Sequence, residues 1–194
     1  VLPISGRPSG EAPIPGLGED LDEGTYYTGA VGLHESAVPD LKNRDHRIIA
    51  EIVVPEGGGQ GVLATQGGVV AGWALYVTED GRPAYVYNLF GKTWTTIVGD
   101  EPLAPGKRRV EIRFDYDEAG RGDRIPYGRG AVLRLRVDGT EVATGKILRS
   151  VPGFFSIDET FDVGTDSGSP AGDYAPLFEW NGRIERVSLK AAGR

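Results

Sequence analysis

Apolar residues in this chain recur at every second position, and that period decides what the chain can fold into. In Arg109-Val-Glu-Ile-Arg-Phe-Asp-Tyr116, the residues Val110, Ile112, Phe114 and Tyr116 share one face and Arg109, Glu111, Arg113 and Asp115 the other. Successive side chains of an extended strand point to opposite sides, so such a segment buries one face and wets the other. Leu133-Arg-Leu-Arg-Val137 repeats the division, placing Arg134 and Arg136 where they can meet Glu111 and Asp115 if the two strands pair. No segment carries a sustained i, i+3, i+4 pattern. Strands are expected over 46–54, 61–66, 73–78, 83–90, 94–98, 108–117, 131–137 and 183–189.

Turn chemistry separates these runs. Asp138-Gly139 and Asp80-Gly81 stand between alternating segments, the signature of hairpins whose turn residues need positive φ. Thirty Gly and thirteen Pro in 194 residues fit a turn-rich all-β chain, while 39% hydrophobic residues suffice for one sizeable core. The expected fold is a two-sheet antiparallel β-sandwich, a jelly roll, over residues 25–194. Residues 1–24, with Pro3, Pro8, Pro13 and Pro15 and almost no periodicity, read as an extended arm or interdomain linker.

Charge narrows the partners. A net charge of −7 disfavours nucleic acid and anionic membrane, which need a basic stripe to release counterions. Zero Cys excludes disulfides, thiolate zinc sites and a cysteine nucleophile. No apolar run reaches membrane-spanning length, and no signal peptide is recognisable at the start. The chain is therefore expected to be soluble, cytoplasmic or periplasmic, with the compartment left open. With no Met anywhere, Val1 reads as a residue exposed by removal of something upstream.

The segment 155–170 holds four acidic residues, Asp158, Glu159, Asp162 and Asp166, between apolar ones. Carboxylates are hard oxygen ligands, so this set is a calcium candidate, although it lacks the alternate-position ligands, sixth glycine and closing Glu of an EF-hand loop. The competing reading has them capping turns and accepting backbone N–H bonds. Phe155, Ile157 and Phe161 are expected to anchor the loop. Asp162 should point away from Phe161 and Val163, toward the turn at 164–168.

Leu33-His-Glu-Ser36, Val38-Pro-Asp-Leu-Lys-Asn-Arg-Asp-His-Arg47, Ala50-Glu-Ile-Val-Val-Pro-Glu-Gly-Gly58, Gln66-Gly-Gly68, Gly72-Trp-Ala-Leu-Tyr76, Tyr87-Asn-Leu-Phe-Gly91, Glu111-Ile-Arg-Phe-Asp-Tyr116 and the loop from Asp158 to Pro170 together resemble the C-terminal β-sandwich of large bacterial arylsulfatases. The resemblance runs through nearly the whole chain. It implies a concanavalin A-like jelly roll acting as a non-catalytic accessory domain, packed on a sulfatase catalytic domain and helping to wall its substrate entrance. In that family the catalytic domain carries a C/S-x-P-x-R motif, a formylglycine and a calcium or magnesium ion. Ser150-Val-Pro-Gly-Phe154 has Phe154 where that motif needs Arg, so it reads as a turn.

Two other functions stay open, because one fold hosts many. A lectin-like module with calcium-dependent carbohydrate affinity would stack sugars on exposed aromatic rings, for which Tyr76 and Trp94 are the candidates. Trp73, Tyr85 and Tyr87 read as core. A glycoside-active enzyme would need two facing carboxylates, drawn from Glu51, Glu111 and Asp115, but each shares its face with Arg and reads as a cross-strand ion pair. His34 and His46, the two imidazoles, are too few for a multi-His metal centre.

Overall fold

A computed structural model describes residues 21–117 and 127–192; the expected 1–24 arm lies mostly outside them. Among the described residues, eleven strands form two antiparallel sheets. In chain order they are β1 (Glu23–Tyr26), β2 (His46–Val54), β3 (Gly61–Gly67), β4 (Gly72–Val77), β5 (Pro83–Leu89), β6 (Thr93–Val98), β7 (Gly106–Tyr116), β8 (Ala131–Val137), β9 (Thr140–Ile147), β10 (Phe161–Val163) and β11 (Arg183–Ala191), with one short 3-10 turn at Glu35–Ala37. The six-stranded sheet runs β1-β11-β2-β7-β8-β9 and the five-stranded sheet β10-β3-β4-β5-β6. This is the β-sandwich jelly roll that the alternation demands.

The core lies between the sheets. Ile48, Ala50, Ile52 and Val54 of β2 and Val110, Ile112 and Phe114 of β7 face Leu63, Trp73, Leu75, Tyr85 and Tyr87 across it. Each such side chain, fully buried, contributes about 1.5–3 kcal/mol. Phe114 joins the sheets through ring contacts with Tyr85 and Tyr87, at centroid distances of 6.1 and 5.6 Å. The Asp138-Gly139 hairpin forms as read, with φ of 51° and 86°. Gly67, at φ 76°, is confined to glycine, since a Cβ there would sit 2.2 Å from the Ala71 carbonyl oxygen.

Three strands lie outside the expected spans, although the Asp138-Gly139 hairpin implies the second of them. β1 begins at Glu23, inside the span read as linker, and is too short and too exposed to alternate visibly. β9 is mostly polar because it closes the sheet as an edge, and β10 spans three residues. A second, smaller apolar cluster covers the outer side of the five-stranded sheet, where Tyr174, Phe178 and Ala171 lie over Tyr76, Val86 and Val62.

His46 opens β2 and is buried, 6% exposed, with its ring stacked on Phe114 at 4.6 Å and its Nδ1 hydrogen-bonded to the Arg44 carbonyl at 2.7 Å. Burial lowers its pKa from 6.5 to about 4, against the opposing pull of that carbonyl. The unfolded chain therefore takes up a proton at a higher pH than the native protein does. Stability from this residue is full above pH 6.5 and falls as pH drops toward 4, by about 2 kcal/mol at pH 5. Urea midpoints at pH 7 and pH 5 should differ accordingly in the wild type, and His46→Asn should remove most of that difference.

Candidate functional site

The open face of the six-stranded sheet concentrates the charged side chains. Pairing places Lys190 of β11 directly opposite Arg47 of β2, Arg47 opposite Arg113 of β7, and Arg113 opposite Arg134 of β8. Four cations thus stand in one rank across four strands. Like charges directly opposite each other destabilise a sheet, by roughly 0.2–1 kcal/mol per pair. Carboxylates on either side relieve the ends of the rank. Lys190 contacts Glu23 at 3.3 Å, Arg113 contacts Asp115 at 2.7 Å, and Arg134 shares that same Asp115. Arg47 has the poorest partner, Glu111 at 3.9 Å, and its side chain is about half exposed.

Beside the rank lies a polar groove of ≈500 Å³ floored by Ile49 and lined by Arg47, Glu51, Arg109, Arg186 and Lys190. A register shift in β11 between Ile184 and Arg186 brings Arg186 opposite Glu51, with Nη2 2.7 Å from the carboxylate. The Thr25 and Ser188 hydroxyls add a pair of donors and acceptors 3.4 Å apart. Tyr27, exposed at the end of β1, lies within electrostatic reach of Arg186. Among the described residues, ion pairs around the rank and groove join seven cations (Arg47, Arg109, Arg113, Arg134, Arg136, Arg186 and Lys190) to five carboxylates (Glu23, Glu51, Glu111, Asp115 and Glu141), and Lys107, Lys146 and Arg183 with Glu185 lie farther out on the same face. The face is locally positive on a chain of net charge −7.

The carboxylate pair proposed for glycoside chemistry is occupied. Arg109 reaches Glu111 at 2.8 Å and Glu51 at 4.0 Å, so a guanidinium sits against both carboxylates where a glycosidase needs substrate. Asp115 is taken by Arg113 and Arg134. All three are ion-pair members, as their alternation with Arg implies. The expected facing was off by one place: Arg136 stands opposite Glu111, but Arg134 stands opposite Arg113 and reaches Asp115 along a diagonal. His34 hydrogen-bonds Ser36 at the 3-10 turn.

The aromatic candidates divide. Trp94 is 48% exposed, but on β6, in the sheet opposite the cations. Tyr76, expected to be exposed, is buried at 6%, because Tyr174 packs on its ring at 5.2 Å and the 171–178 segment covers that face. Sequence reasoning missed Tyr27 and the β1 and β11 contributions to the groove. The doubled Tyr26-Tyr27 at the end of a marginal strand was the available signal.

The acidic loop is held together by its own carboxylates. Asp162 is 1% exposed and accepts from Gly32 N at 2.7 Å, Ser167 N at 2.8 Å and Ser167 Oγ at 2.6 Å. Asp166 accepts from the Tyr174 hydroxyl at 2.6 Å, and burial pushes its carboxyl above the usual range. Glu159 accepts from Ser169 N and Oγ, while Asp158 lies exposed. Among the described residues, no three His, Cys, Asp or Glu side chains are grouped to hold a metal ion. Phe155 and Phe161 anchor the loop in the core, but Ile157 is 83% exposed and does not, since Ser156 Oγ caps a turn there through Asp158 N and Glu159 N.

Ser150-Val-Pro-Gly-Phe154 leaves the six-stranded sheet as a turn. Ser150 is buried and exchanges backbone bonds with Gly128, Val151 N donates to the Tyr87 hydroxyl at 2.9 Å, and Phe154 projects outward. Among the described residues, no helix is long and apolar enough to cross a membrane.

No protein-family model and no curated protein matches the sequence. Solved structures do match in shape. The CBM40 of the Ruminococcus gnavus IT-sialidase, bound to α2,3-sialyllactose, aligns over 88% of this chain and 87% of its own at 18% identity and a TM-score of 0.55. Domains LG4-5 of the mouse laminin α1 chain align over 90% of this chain and 40% of theirs, at 13% identity and a TM-score of 0.52. These share the β-sandwich fold. Nothing in the comparisons links the chain to arylsulfatases, and what they support is the coarser statement, a sandwich of the kind found in carbohydrate-binding modules.

Removal of the Asp162 carboxylate strips acceptors from donors on two loops at once. Asp162→Ala should lower stability by about 1–3 kcal/mol, whereas Asp173→Ala, at an exposed position in the following loop, should cost about 0.5 kcal/mol or less. Equal denaturant midpoints for the two variants would show that the acidic loop is not held in this way.

Proposed function

We propose that this domain is a non-catalytic, lectin-like module that binds acidic carbohydrate on the open face of its six-stranded sheet. The observation that carries this reading is the rank Lys190, Arg47, Arg113 and Arg134, whose mutual repulsion has no structural benefit and whose central member is underpaired. A bound carboxylate or sulfate would supply the missing counter-charge through charge-assisted hydrogen bonds to Arg47 and Lys190. Glu51 and the Thr25 and Ser188 hydroxyls offer acceptors and donors to sugar hydroxyls. Support also comes from the fold, since the R. gnavus CBM40 of the same architecture was solved with an acidic sugar bound. Calorimetry with α2,3-sialyllactose and with free glucuronic acid should detect binding by at least one. Arg47→Gln should weaken it about tenfold or more, the scale of one charge-assisted hydrogen bond. Chelation should leave both affinity and melting temperature unchanged. No heat from either sugar would refute the reading.

A second reading, that the module is the accessory domain of an arylsulfatase and shapes the entrance of a catalytic domain outside this chain, is favoured by a different observation. Four of the segments that carry the sulfatase resemblance, 33–36, 66–68, 87–91 and 158–170, are far apart in sequence yet meet at one end of the sandwich. Glu35 accepts from Phe155 N at 3.0 Å, Gly67 N donates to Thr160 O, Val69 N to Ser169 Oγ, and Asn88 Nδ2 to the Gly68 and Val69 carbonyls. Exposed Val69, Val70, Phe154 and Ile157 project from these tied loops, an apolar surface suited to a protein partner. The reading frame upstream of Val1 should then encode a C/S-x-P-x-R motif, and a frame without one would retire this reading.

A further inference from the structure

The groove described above does not end at the cation rank. A second cavity of ≈380 Å³ lies on the far side, lined by Asp45, Arg113, Asp115 and Ala192, and it shares Arg47 and Lys190 with the ≈500 Å³ groove. The first extends along β2 toward Glu51 and the second toward Asp45, so the two form one trough parallel to β2 and β11. Six residues of strand separate those ends, about 20 Å at 3.3 Å per residue. That is longer than a single sugar ring. Both cavities are in the size range of small-molecule sites.

We infer that the ligand is a linear oligosaccharide whose acidic unit is internal, seated between Arg47 and Lys190, with neutral sugar units continuing into both cavities. The inference rests on the reading of this face as an acidic-carbohydrate site. A ligand ending in its acid group would need a trough closed at the cations, but the cations stand in the middle. The two flanks also differ in chemistry. Toward Glu51 the walls carry the Thr25 and Ser188 hydroxyls with two carboxylates, Glu23 and Glu51, and two guanidiniums, Arg109 and Arg186; toward Asp45 they carry Asp45 and Asp115 against Arg113 and no hydroxyl. On both flanks the carboxylates and guanidiniums pair with one another, so the weakest-paired cation, Arg47 at the junction of the two cavities, is where the acidic unit is drawn.

Calorimetry on the full chain can separate the possibilities with three probes: free glucuronic acid, α2,3-sialyllactose, and a synthetic tetrasaccharide of neutral hexoses with one glucuronate at its second position. The tetrasaccharide should bind at least tenfold tighter than either of the others. Ala192→Trp fills the second cavity while leaving the backbone bonds of Ala192 with Asp45 and Arg44 in place. It should erase the advantage of the tetrasaccharide over glucuronic acid. Equal affinities for all probes, tighter binding of sialyllactose, or an advantage that survives Ala192→Trp would each overturn the internal-unit inference while leaving the site in place. Absence of binding by any acidic sugar would overturn the inference together with the reading beneath it.

Discussion

Everything on the six-stranded sheet depends on the register of β2. This strand is paired on both sides, with β11 and β7, and it buries Ile48, Ala50, Ile52 and Val54 while turning Arg47, Ile49, Glu51 and Val53 outward. A slip of one residue would drive Arg47 and Glu51 into the core and four aliphatic side chains into water. At roughly 1.5–3 kcal/mol for each large buried aliphatic, that outcome exceeds by far any repulsion among surface charges. The core therefore dictates which outward side chains stand opposite one another. The rank of cations is a consequence the surface has to accept.

What the protein does with that consequence distinguishes a scaffold from a site. Along the neighbouring rows, charges alternate in sign and satisfy each other: Arg186 with Glu51, Arg109 with Glu111, Arg113 and Arg134 with Asp115. At Arg47 the compensation is weakest, with cations on both sides in register and its nearest carboxylate 3.9 Å away. An exposed ion pair contributes little to stability in any case, so the cost of leaving Arg47 unsatisfied is small. A small cost at a concave, hydroxyl-bearing surface is the condition under which a binding residue can be kept.

The acidic loop shows the opposite use of charge. Asp162 and Asp166 are buried, and each is compensated by a donor from another segment, Gly32 for the first and Tyr174 for the second, with Ser167 of the same loop also donating to Asp162. These bonds tie the 29–33 turn, β10 and the 171–178 cover to one another. That cover then buries Tyr76, which removes from the surface one of the two aromatic rings a lectin reading had favoured. Three of the four carboxylates of this segment, Glu159, Asp162 and Asp166, thus serve as hydrogen-bond acceptors that close one end of the sandwich.

Alternation, turn dipeptides and the absence of helical periodicity were enough to determine an all-β sandwich, the strands β2 to β8 and β11 to within three residues at either end, and the outward placement of Glu51, Glu111 and Asp115. These are local properties, because side-chain direction in a strand follows from backbone geometry alone. The strand β9 was legible only through the Asp138-Gly139 hairpin and β10 only through the spacing of Phe161 and Val163, while β1 was not legible, since an edge or a very short strand is made by its partner's hydrogen bonds rather than by its own pattern. Nor was the site. Lys190, Arg47, Arg113 and Arg134 are spread over most of the chain, and each sits in a stretch of ordinary mixed charge. Only the pairing of β11, β2, β7 and β8 brings them opposite one another, because strand register is settled by how the whole core packs and not by any segment read alone.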